Sequence, residues 1–228
     1  MWPRTLVPLG DRALTIDLSA VPDAETRDLI RCLDARVQAD APIGVTARVP
    51  AIRTLTLHYE PTATTFVALA HYIDAALMTL RVEPAVPRAP VVIPVCYGGE
   101  FGPDLEFIAV ARGMSGEAVI EAHTAGDYVV AMIGFLPGFP YLEGLSDALH
   151  TPRRDIPRTS VPAGSVGIGG GSTGIYPFAS PGGWHLIGRT PRALFDAQRA
   201  PPSLLQTGDH VRFVAIAHES WREQVNAS

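Results

Sequence analysis

Arginines, hydroxyl groups and aromatic rings lie between glycines and prolines in the second half of the sequence. The polar and aromatic members of this set are Arg153, Arg154, Arg158, Ser165, Thr173, Tyr176, Ser180, Trp184 and Arg189. Glycine and proline fix the shape of a loop, so side chains between them can be held in place for a small polar ligand. Arginine can grip a carboxylate or a phosphate in a bidentate fork. The alternative for each arginine is a surface ion pair with Asp147, Asp155 or Asp196.

Lysine is absent from all 228 residues. The chain therefore has no lysine for a phosphate-binding P-loop, for a Schiff base or for biotinyl or lipoyl attachment. Any cation in its site must be an arginine.

A glycine-rich run extends from Gly167 to Thr173. It lacks the lysine of a P-loop, and Ser172 stands where a dinucleotide-binding pattern needs its third glycine. A tight β-turn is the favoured interpretation, and phosphate binding is the alternative. We predict no serine-hydrolase elbow in this run. The sequence has no His-Glu metal-binding spacing, so we expect no metal ligands.

His123 is predicted at the end of a short helix and close in sequence to Asp127. A carboxylate there could orient the imidazole for proton transfer. The alternative is a capping or packing residue.

The composition indicates a folded protein that binds small molecules or other proteins. The residues are 47% hydrophobic, the net charge is −5 and the pI is about 5.8, which argues against nucleic-acid binding. Glycines and prolines interrupt the longest apolar stretch, 128–142, and no signal peptide is evident, so we expect a cytoplasmic protein without membrane spans. Cys32 and Cys96 are expected to be buried thiols without a function.

The first third of the chain predicts a small α/β sandwich in the order β-α-β-β-α. The strands are expected at 13–18, 43–49 and 52–59. One helix is expected to open at Pro22 and Asp23, and the second near Thr64. We expect this domain to span residues 1–81 and a stiff proline-rich linker to span 82–90.

The remainder, 91–228, predicts a β-barrel or sandwich with long loops. Strands are expected at 91–97, 127–135 and 210–217. Helices are expected from Pro103 and Asp104 to Gly113 and from Ser115 to about His123.

Three segments of the chain resemble the KipI family, also called allophanate hydrolase subunit 1 or the 5-oxoprolinase B subunit. They are LGDRALTIDL, HTAGDYVVAMIGFLPGFPYLEGL and PRRDIPRTSVPAGSVGIGGGSTGIYPFASPGGWHLIGRTP. The resemblance implies an α+β fold in which a small α/β domain precedes a cyclophilin-like β-barrel. It also implies a cleft shared with a partner of the KipA type, which is the C subunit of 5-oxoprolinase, and an A subunit of the LamB/YcsF type.

The resemblance also implies the positions of the site residues. The catalytic candidates are His123, Arg158 and Arg189, and the substrate-binding candidates are Pro162, Gly164, Ser165, Thr173, Tyr176, Ser180 and Trp184. In the implied reaction, ATP, accompanied by Mg²⁺ where the nucleotide requires it, drives opening of the 5-oxoproline lactam to glutamate. An arginine would hold the substrate carboxylate or the transferred phosphoryl group, and His123 would relay a proton. Ser172 replaces the family's usual glutamine, which leaves open whether the amide is 5-oxoproline, allophanate or urea.

Two other functions remain open at the level of sequence. KipI-like proteins are also described as inhibitors of a sensor histidine kinase, which would make the chain a regulatory binding module. Related paired domains act in urea carboxylase, so the chain could instead be half of a carboxyltransferase. We expect the nucleotide to bind mainly to the partner or at the shared cleft, and exposed Phe135, Phe139, Tyr141 and Trp184 to anchor the partner.

Overall fold

The computed structural model describes residues 4–18, 23–84 and 89–221. The chain folds as two compact units, Met1–Pro87 and Arg88–Ser228. The division falls within the predicted linker 82–90, of which residues 85–88 lie outside the described residues, as does the predicted helix opening at Pro22.

The first unit is a four-stranded antiparallel sheet with two helices. The strands are β1 Thr5–Pro8, β2 Ala13–Asp17, β3 Val45–Pro50 and β4 Thr54–Tyr59, in the spatial order β1-β2-β4-β3. The helices are α1 Ala24–Asp40 and α2 Phe66–Thr79. The order is therefore β-β-α-β-β-α, with one strand more than predicted. The sequence did not predict β1, because this mostly exposed edge strand ends in proline and shows no apolar alternation.

Both helices of this unit begin at side-chain caps. Asp23 accepts a hydrogen bond from the Thr26 N–H, and Thr65 accepts one from the Ala68 N–H. The apolar stripes of both helices pack with the inner face of the sheet into one core cluster.

The second unit is a closed β-barrel with a two-stranded ribbon. Its strands are β5 Val91–Tyr97, β6 Tyr128–Ile133, β7 Pro140–Glu143, β8 Arg158–Val161, β9 Ser165–Gly169, β10 Ser172–Ile175, β11 Ser180–Gly182, β12 His185–Arg189 and β13 His210–Ala215. The barrel order is β10-β7-β6-β13-β5-β12-β9, and β8 pairs with β11. Helices α3 Leu105–Arg112 and α4 Gly116–Thr124 lie between β5 and β6, and a 3-10 turn spans Asp147–Leu149.

Apolar side chains from the strands and from α3 and α4 fill the barrel core. The predicted α+β fold, a small α/β unit followed by a β-barrel, is confirmed. The tight-turn interpretation of the glycine run is also confirmed, because Gly169 pairs with Ser172 and leaves Gly170 and Gly171 as a two-residue hairpin loop. Among the described residues, none of the helices is both long and apolar enough for a membrane span. Cys32 is half-buried, Cys96 is buried, and both thiols are free.

Candidate functional site

A cavity of about 310 Å³ opens beside the glycine-rich strands of the barrel. We call it the aromatic cavity. Its lining comes from the β6–β7 loop, β7, the 153–157 segment and the residues around β11. The lining residues are Phe135, Phe139, Tyr141, Arg153, Arg154, Pro157, Tyr176, Pro181, Gly182, Gly183 and Trp184.

Perpendicular aromatic rings form the floor of this cavity. The ring centroid of Phe139 lies 5.1 Å from that of Tyr176 and 5.6 Å from that of Trp184, with interplanar angles of 84° and 86°. Edge-to-face pairs of this kind place the positive edge of one ring against the negative face of another. The three side chains are buried together in one cluster, so the floor is rigid.

Glycines make room for these rings. A Cβ on Gly169 would lie 2.7 Å from the Trp184 indole, and one on Gly182 would lie 2.5 Å from the Tyr176 hydroxyl oxygen. Any larger residue would displace the aromatic floor. Part of the glycine pattern in the sequence is thus a requirement of this cavity.

Phe135 stands at the rim of the cavity in a strained conformation. Its side chain is 61% exposed, and its backbone has φ of +67°, which non-glycine residues rarely adopt. Hydrogen bonds fix the loop, because the Gly134 N–H donates to Phe139 O and the Leu136 N–H donates to Gly134 O. Retained strain beside a cavity is typical of functional sites.

Two arginines supply positive charge to the cavity. The Arg153 guanidinium carbon lies 5.9 Å from the centroid of the Trp184 ring, which is within the range of a cation–π contact. Among the described residues, no hydrogen bond or ion pair engages Arg153, so its guanidinium is available to a ligand. Arg154 is anchored instead, because its Nη1 donates to Asp104 Oδ1 over 3.2 Å.

Asp104 organises the charges behind the cavity. Its Oδ1 also accepts from Arg158 Nη2 over 2.8 Å, and its Oδ2 accepts from the Leu186 N–H over 2.7 Å. The residue is only 5% exposed. The sequence indicated Asp104 only as a helix start. Its carboxylate makes no cap hydrogen bond to α3, because β12 and the two arginines use it.

The family of these residues follows from comparison with known proteins. The family described as "Carboxyltransferase domain, subdomain C and D" matches residues 4–205. The chain belongs to this family.

The chain is also similar to named relatives and to solved structures. The 5-oxoprolinase B subunit of Bacillus subtilis (strain 168) is 41% identical over 231 residues, covering 96% of both chains. The solved structure of TTHA0988 is 36% identical with a TM-score of 0.78, covering 90% of this chain but 40% of that longer one. The urea carboxylase of Kluyveromyces lactis matches 98% of this chain and 22% of its own, with a TM-score of 0.81. At 20% identity, this last likeness shows the fold alone.

His123 of this carboxyltransferase-family chain lies inside the barrel and not on the aromatic cavity. Its side chain has no exposed surface. Its Nε2 lies 3.0 Å from Thr173 Oγ1, and its Nδ1 lies 2.8 Å from the Tyr97 hydroxyl. The expected orientation by Asp127 was wrong, because that carboxylate is 88% exposed and lies 3.6 Å from His210 Nδ1.

The tautomer of His123 follows from its neighbours. The Thr173 hydroxyl has a single proton, which it donates to Gly167 O over 2.9 Å. Thr173 Oγ1 must therefore accept the hydrogen bond that it shares with the imidazole. His123 Nε2 therefore carries a proton, and Nδ1 accepts from the Tyr97 hydroxyl. Burial lowers the pKa of His123 to about 3, so the ring is neutral at neutral pH. The chain of bonds joins α4, β5, β9 and β10, and the catalytic role of His123 stays a prediction.

The other predicted residues separate into two groups. Tyr176 and Trp184 line the aromatic cavity, and Arg158 lies behind it on Asp104. Arg189 lies elsewhere: its Nε donates to Ala163 O over 2.7 Å, and its guanidinium carbon lies 5.5 Å from the centroid of the Trp221 ring. Ser165 is buried and pairs with Arg189 across the β9–β12 ladder.

The last three predicted positions belong to the loops around this ladder and to the ribbon. Gly164 has φ of +80°, and a Cβ there would lie 2.3 Å from Thr190 O. Pro162 O accepts from the Ser165 N–H over 3.3 Å. Ser180 begins β11 and pairs with Val161. None of the three lines the aromatic cavity, and their substrate-binding roles stay predictions.

Two phenols of the cavity have raised pKa values. Burial raises the pKa of Tyr176 and that of Tyr141. A backbone hydrogen bond at Trp184 is the main opposing effect on the pKa of Tyr176, and Arg153 opposes the rise in both. Both hydroxyls therefore stay protonated at neutral pH. Among the described residues, no group of three or more His, Cys, Asp or Glu side chains is arranged to hold a metal ion.

The expected partner anchors correspond only in part to exposed surface. Phe139 is 1% exposed and Trp184 is 5% exposed, so they form the floor of the cavity. The sequence predicts these rings at the surface because aromatic residues in loops are common interface anchors. The nearby glycines leave enough space for the two rings to be buried. Phe135 is exposed as expected, and Tyr141 is half-buried.

Proposed function

We propose that the chain is the B subunit of an ATP-dependent 5-oxoprolinase, which opens the lactam of 5-oxoproline to give glutamate. The observation that carries the proposal is its likeness, over nearly the full length of both chains, to a protein named as the B subunit of 5-oxoprolinase. The aromatic cavity supports it, because rigid aromatic walls with an unpaired cation at the rim suit a small cyclic acid.

The proposed substrate has three features that the cavity can recognise. Its five-membered ring would lie against the faces of Trp184 and Tyr176. Its carboxylate would pair with the unengaged guanidinium of Arg153. The protonated Tyr141 and Tyr176 hydroxyls would donate to its oxygen atoms, which requires no change in their protonation.

The proposed reaction consumes one ATP and two waters for each lactam. Transfer of the γ-phosphoryl group to the lactam oxygen makes the ring carbon susceptible to water. Addition of one water and cleavage of the C–N bond then give γ-glutamyl phosphate, and the nitrogen takes up a proton to become the amine. A second water hydrolyses this acyl phosphate, which releases phosphate and leaves the γ-carboxyl group of glutamate.

We assign ATP and its Mg²⁺ to a partner protein. The described residues fit a nucleotide poorly, because the chain has no lysine and its glycine run is a two-residue hairpin. The partners we propose are a KipA-type C subunit and a LamB/YcsF-type A subunit. Phe135, exposed and strained at the cavity rim, is the contact residue we favour on this chain.

Kinetics on the reconstituted complex test the proposal. We expect Arg153→Ala to raise the KM for 5-oxoproline by about tenfold or more, because a charge-assisted contact is lost. Arg192→Ala is the matched control, since Arg192 is exposed and does not line the cavity. If the complex hydrolyses allophanate or carboxylates urea but leaves 5-oxoproline intact, 5-oxoproline is not the substrate.

A further inference from the structure

A second cavity, of about 450 Å³, shares Arg153 and Arg154 with the aromatic cavity. We call it the His185 cavity. Phe107 and Ala111 of α3 line one part, and His185, the segment from Thr151 to Pro152 and Ile156 line the rest. Its exposed lining is thus largely apolar, and Arg153 and Arg154 supply its cationic groups.

Two of the three unpaired buried polar atoms among the described residues belong to residues that line this cavity. These two are Arg154 Nε and His185 Nδ1, and the third is Arg158 Nη1. Arg154 and Arg158 both pair with Asp104, and His185 precedes Leu186, whose N–H bonds to the same carboxylate. Buried polar atoms without partners are rare in folded proteins, and each requires an explanation. Their grouping around one carboxylate indicates a shared cause.

One ring nitrogen of His185 is buried without a hydrogen-bond partner among the described residues. The residue is 5% exposed, and its ring stacks on that of Phe107, with centroids 4.6 Å apart and 11° between the planes. Its Nε2 lies 3.0 Å from Pro152 O, which can only accept, so Nε2 carries the proton. Burial lowers the pKa of His185, which keeps the ring neutral at neutral pH. Nδ1 is consequently an unpaired acceptor, whereas Arg154 Nε–H is an unpaired donor.

We propose that the His185 cavity binds a small oxyanion that carries a proton, with hydrogen phosphate or a phosphate monoester as its chemical class. Unprotonated oxygens of the ligand accept from Arg154, and its hydroxyl group donates to His185 Nδ1. Arg153 and Arg154 outweigh the one acidic lining residue, Asp155, which favours an anion. The apolar walls leave space for an organic substituent. The site does not depend on the proposed function of the aromatic cavity.

Sulfate separates this proposal from simple attraction between charges. It has the size and shape of phosphate but no proton at neutral pH, so it would leave His185 Nδ1 unpaired. We expect calorimetric titration of the purified chain, at constant ionic strength, to show phosphate binding about tenfold or more tightly than sulfate. Equal affinities for the two ions, or no phosphate binding at millimolar concentration, would overturn the proposal.

A conservative variant isolates the acceptor. His185→Gln can still donate to Pro152 O but places no acceptor at the position of Nδ1, so phosphate affinity should fall to the level of sulfate affinity. His210→Gln, outside the cavity, is the control and should keep the preference. If His185→Gln lowers the melting temperature, Arg154→Lys provides the second test: it retains the charge and loses Nε–H, and both ions should bind more weakly. Retention of the phosphate preference in folded His185→Gln would sink the idea.

Phenyl phosphate distinguishes the two sources of the ligand. Tighter binding of phenyl phosphate than of inorganic phosphate would assign the cavity to an organic phosphate monoester, with the ring against Phe107 and Ile156. Tighter binding of inorganic phosphate would assign it to the free ion. If phenyl phosphate and inorganic phosphate both bind no more tightly than sulfate, the unpaired atoms form hydrogen bonds with water and the proposal is wrong.

Discussion

Arg158 Nη2 lies 2.8 Å from Asp104 Oδ1, and this ion pair ties the β8 ribbon to the start of α3. The Asp104 side chain is 7% exposed, whereas that of Arg158 is 23% exposed. A buried carboxylate of this kind needs its partners, because removing one side of such a pair leaves an uncompensated charge or unpaired donors.

Asp104→Ala should therefore lower the free energy of unfolding by about 3 kcal/mol, because two guanidinium groups and the Leu186 N–H lose their acceptor. Asp104→Asn should cost less, since its amide oxygen still accepts one bond. Urea denaturation at neutral pH measures both. Asp155→Ala, at an exposed position, is the control. A cost for Asp104→Ala no larger than the control's would show that the cluster contributes nothing to stability.

His123 should make the stability of the protein depend on pH. The folded pKa is about 3 and the reference value is 6.5, so between these pH values the unfolded chain binds the extra proton. The stability contributed by the neutral imidazole is thus complete above pH 6.5 and is lost as pH falls, by up to about 1.4 kcal/mol per pH unit.

Comparison with His123→Gln measures this dependence. The glutamine can donate to Thr173 but places no acceptor at the position that receives the Tyr97 hydroxyl, so it should cost about 1–3 kcal/mol at pH 7. That difference from wild type should shrink as pH falls below 6.5, because glutamine does not titrate. Urea denaturation at several pH values tests it, with His210→Gln as control. A constant difference would mean that His123 titrates alike in both states.

Short-range patterns in the sequence predicted most helices and strands. The contacts that the sequence did not predict join residues far apart along the chain. Caps at Asp23 and Ser115 could be predicted because a cap involves residues three positions apart. The partners of Asp104 lie 50 to 82 positions away, so no local pattern points to them. Thr173, the partner of His123, is likewise 50 positions distant. The family resemblance identified Tyr176 and Trp184, which do meet at one cavity.

Gly169→Ala should close the aromatic cavity. The new Cβ would lie 2.7 Å from the Trp184 indole, so the ring must move into the cavity or the strand must shift. We expect a loss of about 1–3 kcal/mol in stability and at least tenfold weaker binding of 5-oxoproline. The control is Gly183→Ala, in the same cavity lining, where the nearest atom would be 3.7 Å away. Equal effects of Gly169→Ala and Gly183→Ala on stability and binding would show that Trp184 can move without closing the cavity.

The isolated chain should bind 5-oxoproline without hydrolysing ATP. It carries a cavity suited to the proposed substrate, but it lacks any lysine for a nucleotide, and its glycine run is a hairpin. Catalysis requires the phosphoryl donor and the acceptor to be positioned together before charge develops, so half of the site should lose the rate acceleration and not merely affinity. The folded chain, checked by circular dichroism, should release no phosphate until the partner proteins are added. Phe135→Ala should weaken assembly, whereas Phe107→Ala, at a similarly exposed ring outside this cavity, should not. Substrate-dependent ATP hydrolysis by the chain alone would contradict the assignment of the nucleotide to a partner.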